Sequence, residues 1–68
     1  MLGIKIAALR KQLGISQAEL ARRLRISPST VGMYEQGRRE PSLDMLVQLA
    51  RTFGVSTDFL LDTTTGST

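Results

Sequence analysis

The sequence predicts an all-α protein with one small domain. Apolar residues recur at helical spacing along most of the 68-residue chain, and no alternating strand pattern persists. Serine stands at the start of four of these helical patterns, where its hydroxyl can cap the first turn. Glycine follows the end of three of them, where a left-handed backbone closes a helix. Together these signals predict five helices, at about residues 4–13, 17–24, 28–36, 43–53 and 57–61.

Each predicted helix carries an apolar stripe that should be buried. On the last helix three apolar residues are consecutive, and one helix cannot turn all three inward. The residues expected in the core of the other four are Ile6, Leu9 and Leu13, then Leu20, Ala21 and Leu24, then Val31 and Tyr34, and finally Leu43, Leu46, Val47, Ala50 and Phe53.

Proline marks the start of the third helix and does not interrupt it. Pro28 follows the N-cap Ser27 and would be the first helical residue, whose missing N–H has no partner within a helix anyway. Ile26 and Val31 are spaced to pack across this start as a hydrophobic staple. With Val31 and Tyr34 turned inward, the outward face of the helix consists of Pro28, Ser29, Gly32, Met33 and Gln36.

Basic and acidic residues are unevenly distributed along the chain. The net charge is +3, but residues 1–39 carry +6 and residues 40–68 carry −3. A basic region of this kind can face a polyanion such as nucleic acid. A solvated basic surface without a partner explains the same distribution, so charge alone leaves both interpretations open.

The composition argues against several other classes of protein. Cysteine and histidine are absent, which removes most nucleophilic, acid–base and metal-binding arrangements, and we expect no enzymatic activity, metal or cofactor. The longest stretch without a charged residue, residues 26–34, is far shorter than the roughly 20 residues of a membrane-spanning helix. We therefore expect no membrane association. A chain of this length also leaves no room for a separate ligand-sensing domain, and no small-molecule ligand is expected.

The second and third predicted helices are joined by about three residues, which favours the sharp crossing of a helix-turn-helix. The stretch "SQAELARRLRISPSTVGMYEQGRREPS", followed by "LDMLVQLARTFGVSTDFLL", resembles the phage-repressor and Cro-type (lambda-repressor-like, xenobiotic-response-element type) helix-turn-helix regulators. The resemblance covers residues 2–61. The positions that carry it are Leu20, Ala21, Leu24, Ile26, Val31 and Tyr34. It implies a compact five-helix lambda-repressor-like domain that binds duplex DNA, usually as a two-fold dimer.

The resemblance further implies that the third helix, at about residues 28–36, lies in the DNA major groove. The matching base-reading positions hold Pro28, Ser29, Gly32 and Met33, where family members commonly carry Gln, Arg, Asn or Lys. The side chains of these four residues therefore cannot form the paired hydrogen bonds by which other side chains recognise guanine or adenine. Met33 and Pro28 can contact thymine methyl groups, and Ser29 can bond to either base type. We expect DNA shape and deformability to contribute at least as much to specificity as hydrogen bonds to bases.

By the same resemblance, phosphate contacts come from the N-terminus of helix 2, where the helix dipole is positive, and from the loop after helix 3. The expected phosphate-binding residues are Gln17, Ser27, Thr30, Gln36, Arg38 and Arg39. Arg25 occupies a turn position that usually holds glycine, and a left-handed backbone there would cost roughly 1 kcal/mol. A phosphate contact by Arg25 and plain solvation both remain open. The resemblance also implies a structural ion pair between Arg10 and Glu35.

These observations predict a sequence-specific double-stranded-DNA-binding transcriptional regulator, a repressor or controller, that acts on a palindromic operator as a homodimer. Phe59 and Leu61 are expected at the dimer interface, with a role in capping the core as an equal alternative. The alternative function is a protein–protein interaction module such as an antitoxin or adaptor, because the outward face of helix 3 is nearly uncharged. We expect a cytoplasmic, nucleoid-associated protein, with a folded domain at residues 1–62 and a disordered tail at residues 63–68.

Overall fold

Five α-helices and no strand make up the part of the chain that the computed structural model describes, residues 2–62. They are α1 (Leu2–Leu13), α2 (Gln17–Leu24), α3 (Pro28–Gln36), α4 (Leu43–Phe53) and α5 (Thr57–Leu61). The predicted all-α fold with five helices is confirmed, although α1 begins two residues earlier than expected. The predicted disordered tail lies outside the described residues.

The helix starts follow the predicted serine caps. The side-chain oxygens of Ser16, Ser27, Ser42 and Ser56 accept hydrogen bonds from the backbone N–H groups of Glu19, Thr30, Met45 and Phe59. The Glu19 carboxylate, which a capping box would direct at the Ser16 amide, instead accepts from Arg22 and Arg23 on the same helix. These two guanidinium groups lie one turn further along α2, where the helix brings them beside Glu19.

The core is formed by residues from all five helices. Ile6, Leu20, Val31, Leu49 and Leu60 are completely or almost completely buried. Within the helix-turn-helix, the predicted inward residues of α2 and α3 are buried as expected, including the small Ala21 that lets these two helices approach closely.

The predicted core was wrong at one end of α1 and along α4. Leu13 is 45% exposed, Leu43 is 77% exposed and Val47 is 39% exposed. The residue missed on α4 is Leu49, which is fully buried. Because α4 has apolar residues around more than half of its circumference, two overlapping apolar stripes can be drawn on it. The neighbouring helices bury the stripe that contains Leu49, which sequence periodicity cannot distinguish from the other.

Helix α1 crosses the last turn of α3 at Gly3. A Cβ atom at this position would lie 2.5 Å from the carbonyl oxygen of Tyr34 and 2.7 Å from that of Glu35. Both distances are far below van der Waals contact, so the crossing requires a residue without a side chain. No local pattern in the sequence indicates this role of Gly3, because its site of contact is more than thirty positions away in the chain.

Helix α5 is attached to α1 through Lys5. The Lys5 ammonium donates to the carbonyl oxygens of Phe59 and Asp62, both at 2.7 Å, and lies 4.7 Å from the centre of the Phe59 ring. A cation at the carboxyl end of a helix is attracted to the carbonyl dipoles there, and the aromatic ring adds a cation–π attraction. Leu60 points into the core, which leaves Phe59 and Leu61 on the surface.

Within residues 2–62, every helix falls short of the length and apolar character that crossing a membrane requires.

Candidate nucleic-acid interface

Val31 and Tyr34, on the inward side of α3, are both buried and hold the helix against the core. Pro28, Ser29 and Gln36 are exposed on the outward face, while Gly32 and Met33 are partly buried. The structure therefore presents all five residues expected there, although Met33 is only partly exposed. The face is uncharged and has few hydrogen-bonding groups.

Three hydroxyl groups cluster at the N-terminus of α3. The Ser27 Oγ lies 2.8 Å from the Thr30 Oγ1 and 3.1 Å from the Ser29 Oγ. These two contacts use two of the three hydroxyl hydrogens, so one hydrogen remains for an external acceptor. The cluster can therefore donate to a phosphate or a base without losing the helix cap.

Gln17, the first residue of α2, is exposed beside the outward face of α3. Its Nε2 donates to the Oε1 of Glu35 at 3.0 Å. A side-chain amide has two N–H groups, so a second donor remains available next to the N-terminus of α2. The contact with Glu35 was not foreseen, because the two residues are eighteen positions apart on different helices and no pattern in the sequence connects them.

Arg10 and Glu35 join α1 to α3. The Arg10 Nε lies 2.6 Å from the Glu35 Oε2, and a second guanidinium nitrogen lies 3.3 Å from the Oε1. Only 13% of the Arg10 side chain and 9% of the Glu35 side chain are exposed. The remaining guanidinium nitrogen of Arg10 donates to the carbonyl oxygen of Ile15 at 2.9 Å, which also fixes the turn before α2.

The pKa of Glu35 reflects two opposing influences. Burial of the carboxyl group acts to raise the pKa, while hydrogen bonds from Arg10 and Gln17 and the positive charges of Arg10 and Lys11 lower it. The attractive contacts prevail, and the pKa lies below the ordinary value of 4.5. Glu35 is therefore an anion at neutral pH, compensated by Arg10.

The loop after α3 carries the remaining predicted phosphate-binding residues. Gly37 closes α3 in a left-handed conformation, and the backbone N–H of Arg38 donates to the Met33 carbonyl at 3.0 Å. The side chains of Arg38 and Arg39 are exposed. Within residues 2–62 neither guanidinium forms an ion pair, in contrast to Arg22 and Arg23, which share Glu19.

Arg25, between α2 and α3, has a left-handed backbone with φ of 60°. It is the one described residue other than glycine with a positive φ. Its backbone N–H still closes α2 by donating to the carbonyl of Arg22 at 3.2 Å. The side chain is exposed and adds a third unpaired positive charge to the described surface around α3.

The residues expected at a dimer interface lie on α5. Phe59 and Leu61 are 44% and 50% exposed, whereas Leu60 between them is 1% exposed. The structure thus separates the three consecutive apolar residues into one core residue and two surface residues.

No group of three or more acidic, histidine or cysteine side chains within residues 2–62 is arranged to hold a metal ion.

The sequence is similar to helix-turn-helix regulators over most of its length. The sequence model of the helix-turn-helix family matches residues 6–60. Among curated proteins, the HTH-type transcriptional regulator ImmR of Bacillus subtilis is 37% identical over 60 residues, covering 88% of this chain and 47% of the relative. The prophage-derived HTH-type regulator YonR of the same organism is 43% identical over 61 residues, covering 90% of this chain and 56% of the relative. This chain thus spans about half the length of these curated relatives.

Solved structures include similar proteins bound to DNA. The P22 c2 repressor in complex with a synthetic operator has a TM-score of 0.87 and 32% identity, covering 91% of this chain and 94% of that one. SinR, a master regulator of biofilm formation solved in complex with DNA, has a TM-score of 0.84 and 32% identity, covering 91% of this chain and all of that one. SinR in complex with the SinI protein has a TM-score of 0.89 and 29% identity, covering all of this chain and 67% of that one.

Proposed function

Because the chain belongs to the helix-turn-helix family, we propose that it is a sequence-specific, double-stranded-DNA-binding transcriptional regulator of the repressor or controller type. The observation that carries the proposal is the presentation of α3, a helix face without core function that is held by Val31 and Tyr34. This face is bordered by Arg38 and Arg39, neither of which forms an ion pair within residues 2–62. The resemblance to repressors that bind DNA supports the same assignment.

In the proposed complex, α3 (Pro28–Gln36) enters the major groove, which is about 12 Å wide and admits an α-helix. Pro28, Ser29, Gly32 and Met33 face the base edges. Since this face has few donors and acceptors, contacts with thymine methyl groups and the deformability of the DNA provide much of the specificity.

Affinity comes from the phosphates on either side of the groove. Gln17 and the first N–H groups of α2 bind on one side, where the helix dipole favours an anion. The loop after α3 binds on the other side. Each neutralised phosphate releases condensed counterions, so affinity falls steeply as the salt concentration rises. The residues proposed to contact phosphate are Gln17, Ser27, Thr30, Gln36, Arg38 and Arg39.

We propose that the DNA-binding form is a homodimer that contacts a palindromic operator. Phe59 and Leu61 are large apolar side chains exposed together on one short helix. Burial of both against a second copy would relieve this exposure and set two α3 helices roughly 34 Å apart, one turn of DNA. We further propose that the protein acts in the cytoplasm, where it is associated with DNA. Its proposed function requires no catalytic activity.

The alternative function, a protein–protein interaction module, is not favoured. Curated relatives are named transcriptional regulators, and similar structures were solved on DNA. SinR has been solved with both DNA and a protein partner, so a protein partner is compatible with the proposed function and does not replace it.

Selection from a random duplex library, followed by gel retardation of the enriched duplexes, tests the proposal. We expect a palindromic consensus with thymine at several contacted positions and weaker binding at 200 mM salt than at 50 mM. A lack of retardation of every duplex at low salt would reject the proposed function. Binding of all duplexes with equal affinity would reject its sequence specificity.

A further inference from the structure

The side chain of Gln17 crosses the surface of α3 to reach Glu35. Its Nε2 donates to the Glu35 Oε1 at 3.0 Å, although Gln17 belongs to α2 and is itself exposed. An exposed glutamine normally samples many rotamers, and ordering it costs conformational entropy. Here a partner on the neighbouring helix selects the direction of the amide before any ligand arrives.

The path of this side chain passes over Gly32. A Cβ atom built at position 32 would lie 3.9 Å from both the Nε2 and the Oε1 of Gln17. That distance is ordinary van der Waals contact, so an alanine fits there, but a longer side chain would extend into the space that the Gln17 amide occupies. Gly32 thus keeps open the route from Gln17 to Glu35.

The carboxylate of Glu35 is a fixed hydrogen-bond acceptor for Gln17 because Arg10 holds it in place. Arg10 donates to both of its carboxylate oxygens and also to the carbonyl of Ile15, immediately before the N-cap of α2. The three helices are therefore linked in one network. The Arg10 charge also compensates the carboxylate, so an approaching phosphate does not meet an isolated negative charge beside Gln17.

We propose that Glu35 is a positioning residue for DNA binding: it holds one N–H of the Gln17 amide and thereby directs the other N–H at a DNA phosphate. The inference rests on the proposed function and deepens it, since it gives Glu35 a role in affinity beyond its ion pair with Arg10. A hydrogen-bond donor that is already ordered in the free protein binds more tightly than a mobile one, because less conformational entropy is lost on binding.

A double-mutant cycle for DNA affinity tests the coupling. One background is the natural chain, and the other replaces the ion pair by apolar side chains of similar size, Arg10→Met with Glu35→Leu. In the natural chain Gln17→Ala should weaken binding about tenfold, the effect of one hydrogen bond to a charged group. In the apolar background the same substitution should weaken binding by no more than about twofold, since the amide is no longer held. An equal loss in both backgrounds would overturn the inference.

The conservative variant Glu35→Gln separates positioning from the ion pair. Its side-chain carbonyl can still accept from Gln17, so Gln17→Ala should retain most of its effect on affinity in this background even if the variant is less stable. If Gln17→Ala loses its effect on DNA affinity in Glu35→Gln, the carboxylate charge and not the held amide determines the behaviour, and the inference fails.

A measurement on the free natural protein covers the case in which the apolar background does not fold. The side-chain amide of Gln17 should show a higher NMR order parameter than that of the exposed Gln12, which lies on α1. Equal mobility of the two amides would overturn the inference without any variant.

The outcomes also distinguish this inference from the proposed function. If the natural chain binds no duplex, the proposed function fails. If it binds, and Arg38→Ala weakens binding while the Gln17 cycle shows no coupling, only the positioning role of Glu35 fails.

Discussion

The carbonyl oxygen of Tyr34 lies where a side chain of residue 3 would begin: a Cβ atom on Gly3 would be 2.5 Å from it. The carbonyl oxygen of Glu35 would be only slightly further away. Both atoms belong to the backbone of the last turn of α3, which is held by helical hydrogen bonds and cannot rotate aside. The distance between α1 and α3 therefore depends on the absence of a side chain at Gly3. The orientation of the outward face of α3 depends on it as well.

Substitution of this glycine should be destabilising. Gly3→Ala is expected to lower the free energy of unfolding by about 1–3 kcal/mol, because the helices must separate to admit a methyl group. Thermal unfolding followed by circular dichroism measures the change. Gly32→Ala is the matched control: position 32 has room for a methyl group and is helical, so stability should rise by up to about 1 kcal/mol. Equal effects of the two substitutions would contradict the close crossing at Gly3.

Acid should weaken the fold through Glu35. Its folded-state pKa is below the ordinary value of 4.5, so protonation is less favourable in the folded than in the unfolded chain. The resulting stability is fully present above about pH 4.5 and is lost as the pH falls through the lower folded-state pKa. Urea unfolding at a series of pH values between 7 and 3 measures this loss.

Glu35→Gln is the control for the acid effect. The variant should be less stable at pH 7 by about 2 kcal/mol, between the effects of breaking an exposed and a fully buried ion pair, because the Arg10–Glu35 pair is partly buried. Its stability should also vary less with pH. Glu19, whose pKa is lowered by hydrogen bonds from Arg22 and Arg23, contributes equally to both proteins and cancels in the comparison. An unchanged pH profile in the variant would show that Glu35 is not the responsible group.

Loss of the loop arginines should weaken binding to every DNA sequence. For Arg38→Ala with Arg39→Ala, we expect the slope of log affinity against log salt to become less steep by about 1 for each phosphate contact removed. Arg51→Ala, an exposed position in the last turn of α4, removes a positive charge outside the helix-turn-helix and should leave the slope nearly unchanged. Retardation assays over a range of salt concentrations measure all three slopes.

Met33→Ala should instead change which sequences are preferred. Met33 is partly exposed on the outward face of α3, where its apolar side chain can contact thymine methyl groups, and it carries no charge. We expect a reduced preference for thymine in a selection from random duplexes, with the salt dependence retained. Sequence preferences identical to those of the natural protein would remove Met33 from the base-reading set.

The left-handed backbone of Arg25 makes a distinct prediction. Arg25→Gly should stabilise the fold by up to about 1 kcal/mol, since relief of the left-handed conformation is partly offset by the greater freedom of glycine in the unfolded chain. Arg25→Ala removes the same charge but keeps the strain, so it should give no gain. Denaturant unfolding of both variants isolates the backbone effect, and equal stability of the two would contradict it.

The exposed apolar pair on α5 should control self-association. Phe59→Ala with Leu61→Ala is expected to weaken dimerisation at least tenfold, a typical effect of truncating large apolar side chains at the centre of an interface. Sedimentation at micromolar concentration measures it. Ile4→Ala is the control, because Ile4 is equally apolar and 67% exposed but lies beside the end of α3. A natural chain that sediments as a monomer throughout would reject the proposed interface.

Much of the fold could be predicted because helix boundaries are set by neighbouring residues. The serine caps, Pro28 at the start of α3 and the glycines after the helices act within one or two turns, so they can be recognised in the sequence. The family resemblance placed Arg25 at a turn position that usually holds glycine, and the structure gives this residue the left-handed backbone that glycine favours. The inward anchors of α3 followed from their spacing.

The buried face of α4 could not be predicted from the sequence with the same success. Two apolar stripes overlap on this helix, and only the positions of the other helices select the one that contains Leu49. Leu43, at the first turn of α4, fits the discarded stripe and remains on the surface. Helical periodicity defines the stripes but not their neighbours.

The sequence by itself determined five helices, all of their ends except the start of α1, the outward residues of α3 and the concentration of positive charge in the first 39 residues. Each of these follows from local backbone preference or from composition. Only the tertiary structure decided that Gly3 sets the crossing of α1 over α3, that Lys5 caps α5 and that Glu35 holds Gln17. These contacts join residues far apart in the chain, and their distances depend on how whole helices pack, which no local pattern records.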